Sequence, residues 1–186
     1  MLTILICTIE ERQQSFEFIY NKLQEQIDRQ GLSKSIKIDY LCDKKGEKSI
    51  GEKRNILLQR CKTKYACFID DDDDVYNYFI EIVNKGIKKN KDCLSLKGEI
   101  SIDGGQNKVF IHSIKYKSYF QDERAYYRPP NHLNVIKTAI SKKFMFPEKS
   151  FGEDTDWAMD ICNSGMLKTE HHIEEVLYLY RYVSSK

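Results

Sequence analysis

The chain has 186 residues, 41% of them hydrophobic and 31% charged, with a formal net charge of +2. That length buries the core of one domain, and the proportions are ordinary for a globular protein. Near-neutral charge gives no argument for a nucleic-acid partner, no apolar run reaches transmembrane length, and none of the six cysteines has Cys-x-x-Cys spacing.

Several cysteines fall in apolar segments and read as reduced, buried thiols. The first residues, Met1 to Ile6, carry neither a basic region nor a cleavage site. The expectation is a cytoplasmic protein, with peripheral attachment to a membrane left open. Basic residues cluster between Lys44 and Arg60 and between Lys85 and Lys91, while the carboxylates concentrate at two short sites. That asymmetry suits an anionic ligand approaching a metal-loaded acidic centre.

Thr3 to Ile9 is a continuous apolar run, the pattern of a parallel strand buried on both faces, and it ends in the polar turn Thr8-Ile9-Glu10-Glu11-Arg12. Phe16, Ile19, Tyr20, Leu23 and Ile27 then recur at helical spacing up to Gly31. Ile36, Ile38 and Tyr40 alternate with Lys37 and Asp39 in a second strand leading to Asp43. Ser49-Ile50-Gly51-Glu52 has the form of a capping box and predicts a helix carrying Ile56, Leu57 and Cys61 inward. A third strand, Tyr65 to Ile69, runs into Asp70-Asp71-Asp72-Asp73-Asp74, and Tyr76, Phe79, Ile82, Val83 and Ile87 predict the helix after it. This half reads as β-α-β-α-β-α, a parallel sheet with helical crossovers.

The second half differs. Cys93 to Leu96 predicts a short strand, and Ile100-Ser101-Ile102 and Val109-Phe110-Ile111 flank Gly104-Gly105 as a hairpin. Tyr116 to Pro130, aromatic and basic, reads as a long functional loop, and Val135 to Phe146 is ambiguous. Gly152-Glu153-Asp154-Thr155-Asp156 opens a helix ending near Gly165, and Val176 to Tyr182 is a last apolar strand. With no repeat or linker, a single domain over residues 1–186 is expected.

Five adjacent carboxylates repel one another and need solvent, cations or donors around them. At the C-terminal end of a buried strand they occupy the place where open α/β sheets bind ligands. Hard oxygens there suit Mg²⁺ or Mn²⁺, which would bridge phosphates. Asp43 is placed to accept hydrogen bonds from a nucleobase or ribose, or simply to cap its loop. Lys53 and Arg54 are candidates for phosphate oxygens, against the alternative of a solvated helix face. Glu153 and Asp154 sit in a first helical turn, where the dipole favours acids anyway, but their cluster beside Trp157 also suits a general base. Among the histidines, His132, His171 and His172 are candidate metal ligands or phosphate donors, with the adjacent pair favoured and His172 taken as a metal ligand with Asp70 and Asp72.

Phe68-Ile69-Asp70-Asp71-Asp72-Asp73 resembles the DxD motif of GT-A fold glycosyltransferases, in particular the family 2-like group. Gly51-Glu52-Lys53-Arg54-Asn55 is similar to that group's helix before the DxD strand. Gly152-Glu153-Asp154 resembles its "ED" motif, and Tyr180-Arg181-Tyr182-Val183-Ser184 its closing strand. The resemblance implies a Rossmann-like, mostly parallel central sheet with a small antiparallel acceptor-side region, residues 1–92 forming the nucleotide-sugar half and 93–186 the acceptor half. It implies inverting transfer of a sugar, UDP-linked by expectation, to a hydroxyl of a glycan, a glycolipid precursor or a modified nucleobase in DNA. By the same resemblance Thr8, Arg12 and Asp43 line the nucleoside pocket, and Arg54 lies near base or phosphate. Asp70 meets the ribose with Asp71 beside it, Asp72 holds the Mn²⁺ or Mg²⁺, and Asp154 is the catalytic base next to Glu153. The run of identical residues leaves the register open, with Asp71 and Asp73 as rivals. Two other readings stay open: a nucleotidyl- or phosphotransferase with paired carboxylates, for which no Gly-rich phosphate loop is present, and a non-catalytic metal- or glycan-binding domain.

Overall fold

A computed structural model describes residues 1–182. Two six-stranded sheets form the frame. The first starts as the sequence predicts. Strand β1 (Leu2–Ile9) is followed by a 3-10 turn at Glu10–Arg12, helix α1 (Gln13–Arg29) and strand β2 (Ile36–Asp43). Helix α2 (Ile50–Arg60) then leads to β3 (Tyr65–Phe68) on the other side of β1, and both neighbours run parallel to β1.

β1 is mostly apolar because both of its faces are covered. Leu2, Ile4 and Ile6 pack with Ile19, Leu23 and Ile27 of α1, whereas Leu5 packs with Leu57 and Leu58 of α2 on the opposite face. β3 divides the same way, Tyr65 and Cys67 to one side and Ala66 and Phe68 to the other. The capping box at the head of α2 is formed: the Ser49 side chain accepts from the Glu52 N–H, and the Glu52 carboxylate accepts from the Ser49 N–H.

After the acidic run the chain crosses to the second sheet through β4 (Asp74–Val75), and only then enters α3 (Phe79–Ile87). Tyr76 therefore lies before the helix rather than on its stripe. Strand β5 (Cys93–Leu94) returns to the first sheet, and β6 (Leu96–Ile102) with β7 (Lys108–His112) forms the antiparallel hairpin expected around Gly104.

The stretch read as a long loop holds two strands, β8 (Phe120–Gln121) and β9 (Ala125–Arg128). They were hidden because β9 pairs parallel with β7, a long-range contact that leaves little mark on local pattern. β10 (Ile136–Lys137) and the short α4 (Thr138–Ser141) resolve the ambiguous segment. Helix α5 (Glu153–Ser164), β11 (Glu170–His171) and β12 (Val176–Tyr182) complete the chain. Strand order is β11-β5-β10-β3-β1-β2 in the first sheet and β4-β12-β6-β7-β9-β8 in the second. The second sheet is mixed rather than antiparallel, since β12 is parallel to β6 and β7 to β9.

All six cysteines are free, with Cys61, Cys67 and Cys93 buried. Among the described residues no helix is long and apolar enough to cross a membrane. Val183 and Ser184, the end of the closing-strand motif, lie outside the described residues.

Candidate active site

The five aspartates that look interchangeable in sequence occupy five different environments. Asp70 accepts from Arg54 at 3.0 Å on Oδ1 and meets His132 Nε2 at 3.2 Å on Oδ2. Asp71 turns inward and accepts from the Thr8 hydroxyl at 2.7 Å and from Arg12 at 2.8 Å. Asp72 pairs with Arg12 at 3.1 Å. Asp73 accepts from the Tyr178 hydroxyl at 2.8 Å and from the Arg181 backbone N–H at 2.9 Å. Asp74 is held between Lys22 and Arg181. Asp70 and Asp72 keep 27% of their side chains exposed, whereas Asp71 and Asp74 keep 4% and 7%.

These surroundings separate the protonation of the run. Burial pushes Asp70 up, but His132 and Arg54 outweigh it and hold the carboxyl below the usual range. Burial outweighs Thr8 and Arg12 at Asp71, which is raised, and raises Asp73 much further, with the neighbouring Asp70 adding to it. Proximity of like charges is thus relieved partly by donors and cations along the run and partly by raising Asp71 and Asp73 toward the neutral form.

Beneath the run lies a buried ionic layer built from α2. Gly51 must be glycine, because a Cβ there would sit 1.8 Å from the Pro147 carbonyl oxygen. That close approach brings α2 against the segment before α5, and Arg54 reaches Glu153 on one side and Asp70 on the other. Its guanidinium also lies over the rings of Phe68 and Phe146, at 5.7 and 5.6 Å. One position earlier, Lys53 donates to the Thr8 carbonyl at 2.9 Å and to Asp43 Oδ1 at 2.7 Å. The β1–β2 register, which sets Ile9 opposite Asp43, makes this contact possible.

Lys53, expected from sequence to meet phosphate oxygens, has its ammonium buried and bonded within the protein. Asp43 is buried too, and its Oδ2 has no partner among the described residues. Thr8 and Asp71 brace the turn from inside, while Arg12 is the more accessible member of that group.

His132 is the residue that sequence reasoning undervalued. Its Nε2 faces Asp70, and its Nδ1, without a hydrogen-bond partner among the described residues, lies 3.6 Å from Asp154 Oδ2, which places the ring between the two acidic motifs. It is fixed by its own loop: Phe68 N–H donates to the His132 carbonyl at 2.8 Å, and Asn131 and Asn134 satisfy the turn around it. The signal was present in Asn131-His132-Leu133-Asn134, a polar run with all three polar residues buried. His172, taken as a metal ligand, is not brought to the acidic centre. It stands beside β11, half exposed, against Ser95 and Glu174.

A cleft of about 500 Å³ opens over this layer. Asp70, His132, Glu153 and Asp154 line one end of it, and one face of the second sheet walls the other. Among the described residues no three His, Cys, Asp or Glu side chains gather as a protein-only metal cage. The donor set nevertheless fits a hard cation held by one or two carboxylates together with a ligand's phosphates. Asp70 and Asp72 are the carboxylates of the run that keep exposed side-chain surface.

No protein-family model matches the sequence, and no curated protein matches it. Among solved structures, residues 1–349 of S. aureus TarS superpose with a TM-score of 0.64 at 16% identity, over 97% of this chain and 60% of that one. TarS in complex with UDP-GlcNAc gives 0.65 at 15% identity, over 100% and 60%, and in complex with UDP 0.66 at 15%, over 97% and 60%. The chain thus spans 60% of the length of the TarS fragment it matches. It shares with TarS an α/β fold, laid down around the C-terminal ends of β1 and β3.

Proposed function

We propose that the protein is a metal-dependent glycosyltransferase of the GT-A, family 2-like type, moving a sugar from a UDP-sugar to an acceptor hydroxyl with inversion. The observation that carries this reading is the meeting of two acidic motifs at one end of a cleft: Asp70 from the end of β3 and Asp154 from the start of α5, with His132 between them. A fold shared with a protein solved with UDP and with UDP-GlcNAc supports the donor class.

Arg12 and Asp43 contribute to the nucleoside end. The partnerless Asp43 Oδ2 is an acceptor that an N–H of a base such as uracil would satisfy. Thr8, Lys53 and Asp71 act by position, fixing Arg12 and Asp43 rather than touching the nucleotide. Asp70, drawn down by His132 and Arg54, remains an anion able to accept from a ribose hydroxyl. Asp72 would hold Mn²⁺ or Mg²⁺; bound there, the cation neutralises charge on the departing diphosphate.

Asp154 takes the proton of the acceptor hydroxyl as its oxygen attacks the anomeric carbon from the face opposite the diphosphate. The bond to the diphosphate oxygen breaks, UDP leaves with that electron pair, and the proton stays on Asp154 until solvent removes it. Glu153 neutralises Arg54 and so fixes the floor on which Asp154 stands. Residues 1–92 supply the donor contacts and residues 93–186 most of the acceptor side.

The test is nucleotide release from a panel of nucleotide sugars with Mn²⁺ or Mg²⁺ and with chelator. Metal-dependent release from a UDP-sugar, reduced at least about hundredfold in Asp72→Asn, is expected. Calorimetry showing neither UDP nor metal binding would refute the reading.

A further inference from the structure

The cleft wall opposite the acidic motifs is built with a strict period of two. Tyr180 and Tyr182 come from β12, Phe110 and His112 from β7, Tyr126 and Arg128 from β9, and all six line the cleft. Register fixes their order: Phe110 is paired with Tyr126 and His112 with Arg128. Gly98 on β6, opposite Phe110, leaves room for that ring, since a Cβ there would lie 2.2 Å from it.

Two groups on this wall keep an unmet polar demand among the described residues. The Arg128 guanidinium lies over the rings of Tyr119 and Tyr126, at 5.5 and 5.9 Å, and forms no ion pair among the described residues. Its neighbour His112 is 1% exposed. Asn134 Oδ1 accepts from the Asn131 N–H while its Nδ2 donates to the Leu94 carbonyl, so His112 Nδ1 must be the donor in the 3.0 Å bond to Asn134 Oδ1. Burial first, and Arg128 with it, push the His112 pKa down to about 3, so Nε2 carries a bare lone pair at neutral pH. That Nε2 is buried without a hydrogen-bond partner among the described residues.

We propose that this wall is an acceptor subsite for an anionic carbohydrate. A sugar ring packs on the tyrosines, one of its hydroxyls donates to His112 Nε2, and its carboxylate or phosphate pairs with Arg128. Tyrosine faces suit the apolar faces of a pyranose, and a guanidinium already stacked on rings is pre-organised for planar recognition of an oxyanion. A neutral glycan would leave Arg128 uncompensated, and a flat nucleobase would leave the anion site unused. The assignment rests on the transferase reading in placing the reactive hydroxyl at Asp154, the other end of the same cleft.

The experiment titrates methyl glucuronide, glucose-6-phosphate and neutral methyl glucoside into the full chain by saturation-transfer NMR, with UDP titrated into the same samples. At least one anionic sugar should bind about tenfold or more tighter than the glucoside, the scale of a charge-assisted hydrogen bond. Which of the two wins separates carboxylate from phosphate recognition. Arg128→Gln should abolish the preference and Arg128→Lys retain part of it, with both variants melting cooperatively. Equal affinity for charged and neutral sugars, a preference unchanged in Arg128→Gln, or binding of none of the three overturns the proposal. If UDP binds in those cases, the donor reading survives alone; if UDP fails while the Arg128-dependent preference holds, the transferase reading falls and the anionic-sugar site stands.

Discussion

Arg54→Met should be among the most damaging substitutions in the chain. Arg54 and Glu153 each keep only 5% of their side chains exposed, and Asp70 shares the same guanidinium. Methionine fills much of the volume but leaves Glu153 buried without its cation, a change that costs about 3–5 kcal/mol when one partner of a buried pair is lost. The ring contacts with Phe68 and Phe146 put the expected loss at the upper end, about 5 kcal/mol. For a chain of this length that lowers the melting temperature by about 10–20 °C. Urea unfolding followed by circular dichroism measures it directly. Arg54→Met/Glu153→Gln should be more stable than the sum of the two single changes by about 2 kcal/mol, because the double variant no longer buries the Glu153 charge without its cation. A single-variant loss under about 1 kcal/mol, or strict additivity in the double, would refute the idea that this ionic layer supports the cleft.

Two further perturbations test other parts of the structure. His112 is held neutral, its pKa pushed from an ordinary 6.5 down to about 3. The unfolded chain therefore binds a proton there before the folded one does, and stability is full above the ordinary value and falls with pH toward the lower one. The slope is about 1.4 kcal/mol per pH unit, so His112→Phe should be relatively more stable by about 2 kcal/mol at about pH 5 than at about pH 7; parallel urea curves at both values would exclude it. Gly98→Ala forces a methyl into the Phe110 ring and within 2.8 Å of the Tyr178 carbonyl, and should cost about 1–3 kcal/mol in unfolding experiments, a neutral outcome meaning that the cleft wall is looser than described.

The parallel core was legible because local pattern and tertiary role coincide there. An apolar run with no alternation means two covered faces, and β1 and β3 have them; Ser49 and Glu52 announce a helix start through contacts three residues apart. What escaped depends on contacts that skip far along the chain. β9 reads as loop until its parallel partner is known, and β4 is two residues whose identity as strand comes wholly from β12. The site shows the same divide. Residue types at strand and helix ends located the acidic motifs, but nothing local told Lys53 from Arg54, or His132 from His172. Those pairs are sorted by burial and by which carboxylate lies opposite, properties of the assembled sheets.

A run of one repeated letter invites the idea that a lost or gained copy would be absorbed by sliding. Here it would not. From Asp70 to Asp74 the set of partners changes at every step: Arg54 and His132 at Asp70, Thr8 and Arg12 at Asp71, Arg12 at Asp72, Tyr178 and the Arg181 backbone at Asp73, Lys22 and the Arg181 side chain at Asp74. The run also carries the chain from β3 in one sheet to β4 in the other, so its length is set by that crossing. Four aspartates cannot fill five posts and still reach β12, and six would leave a buried carboxylate with no post at all. Chemical redundancy in the sequence coexists with positional uniqueness, which makes this segment tolerant of few insertions or deletions although each residue is identical to the next.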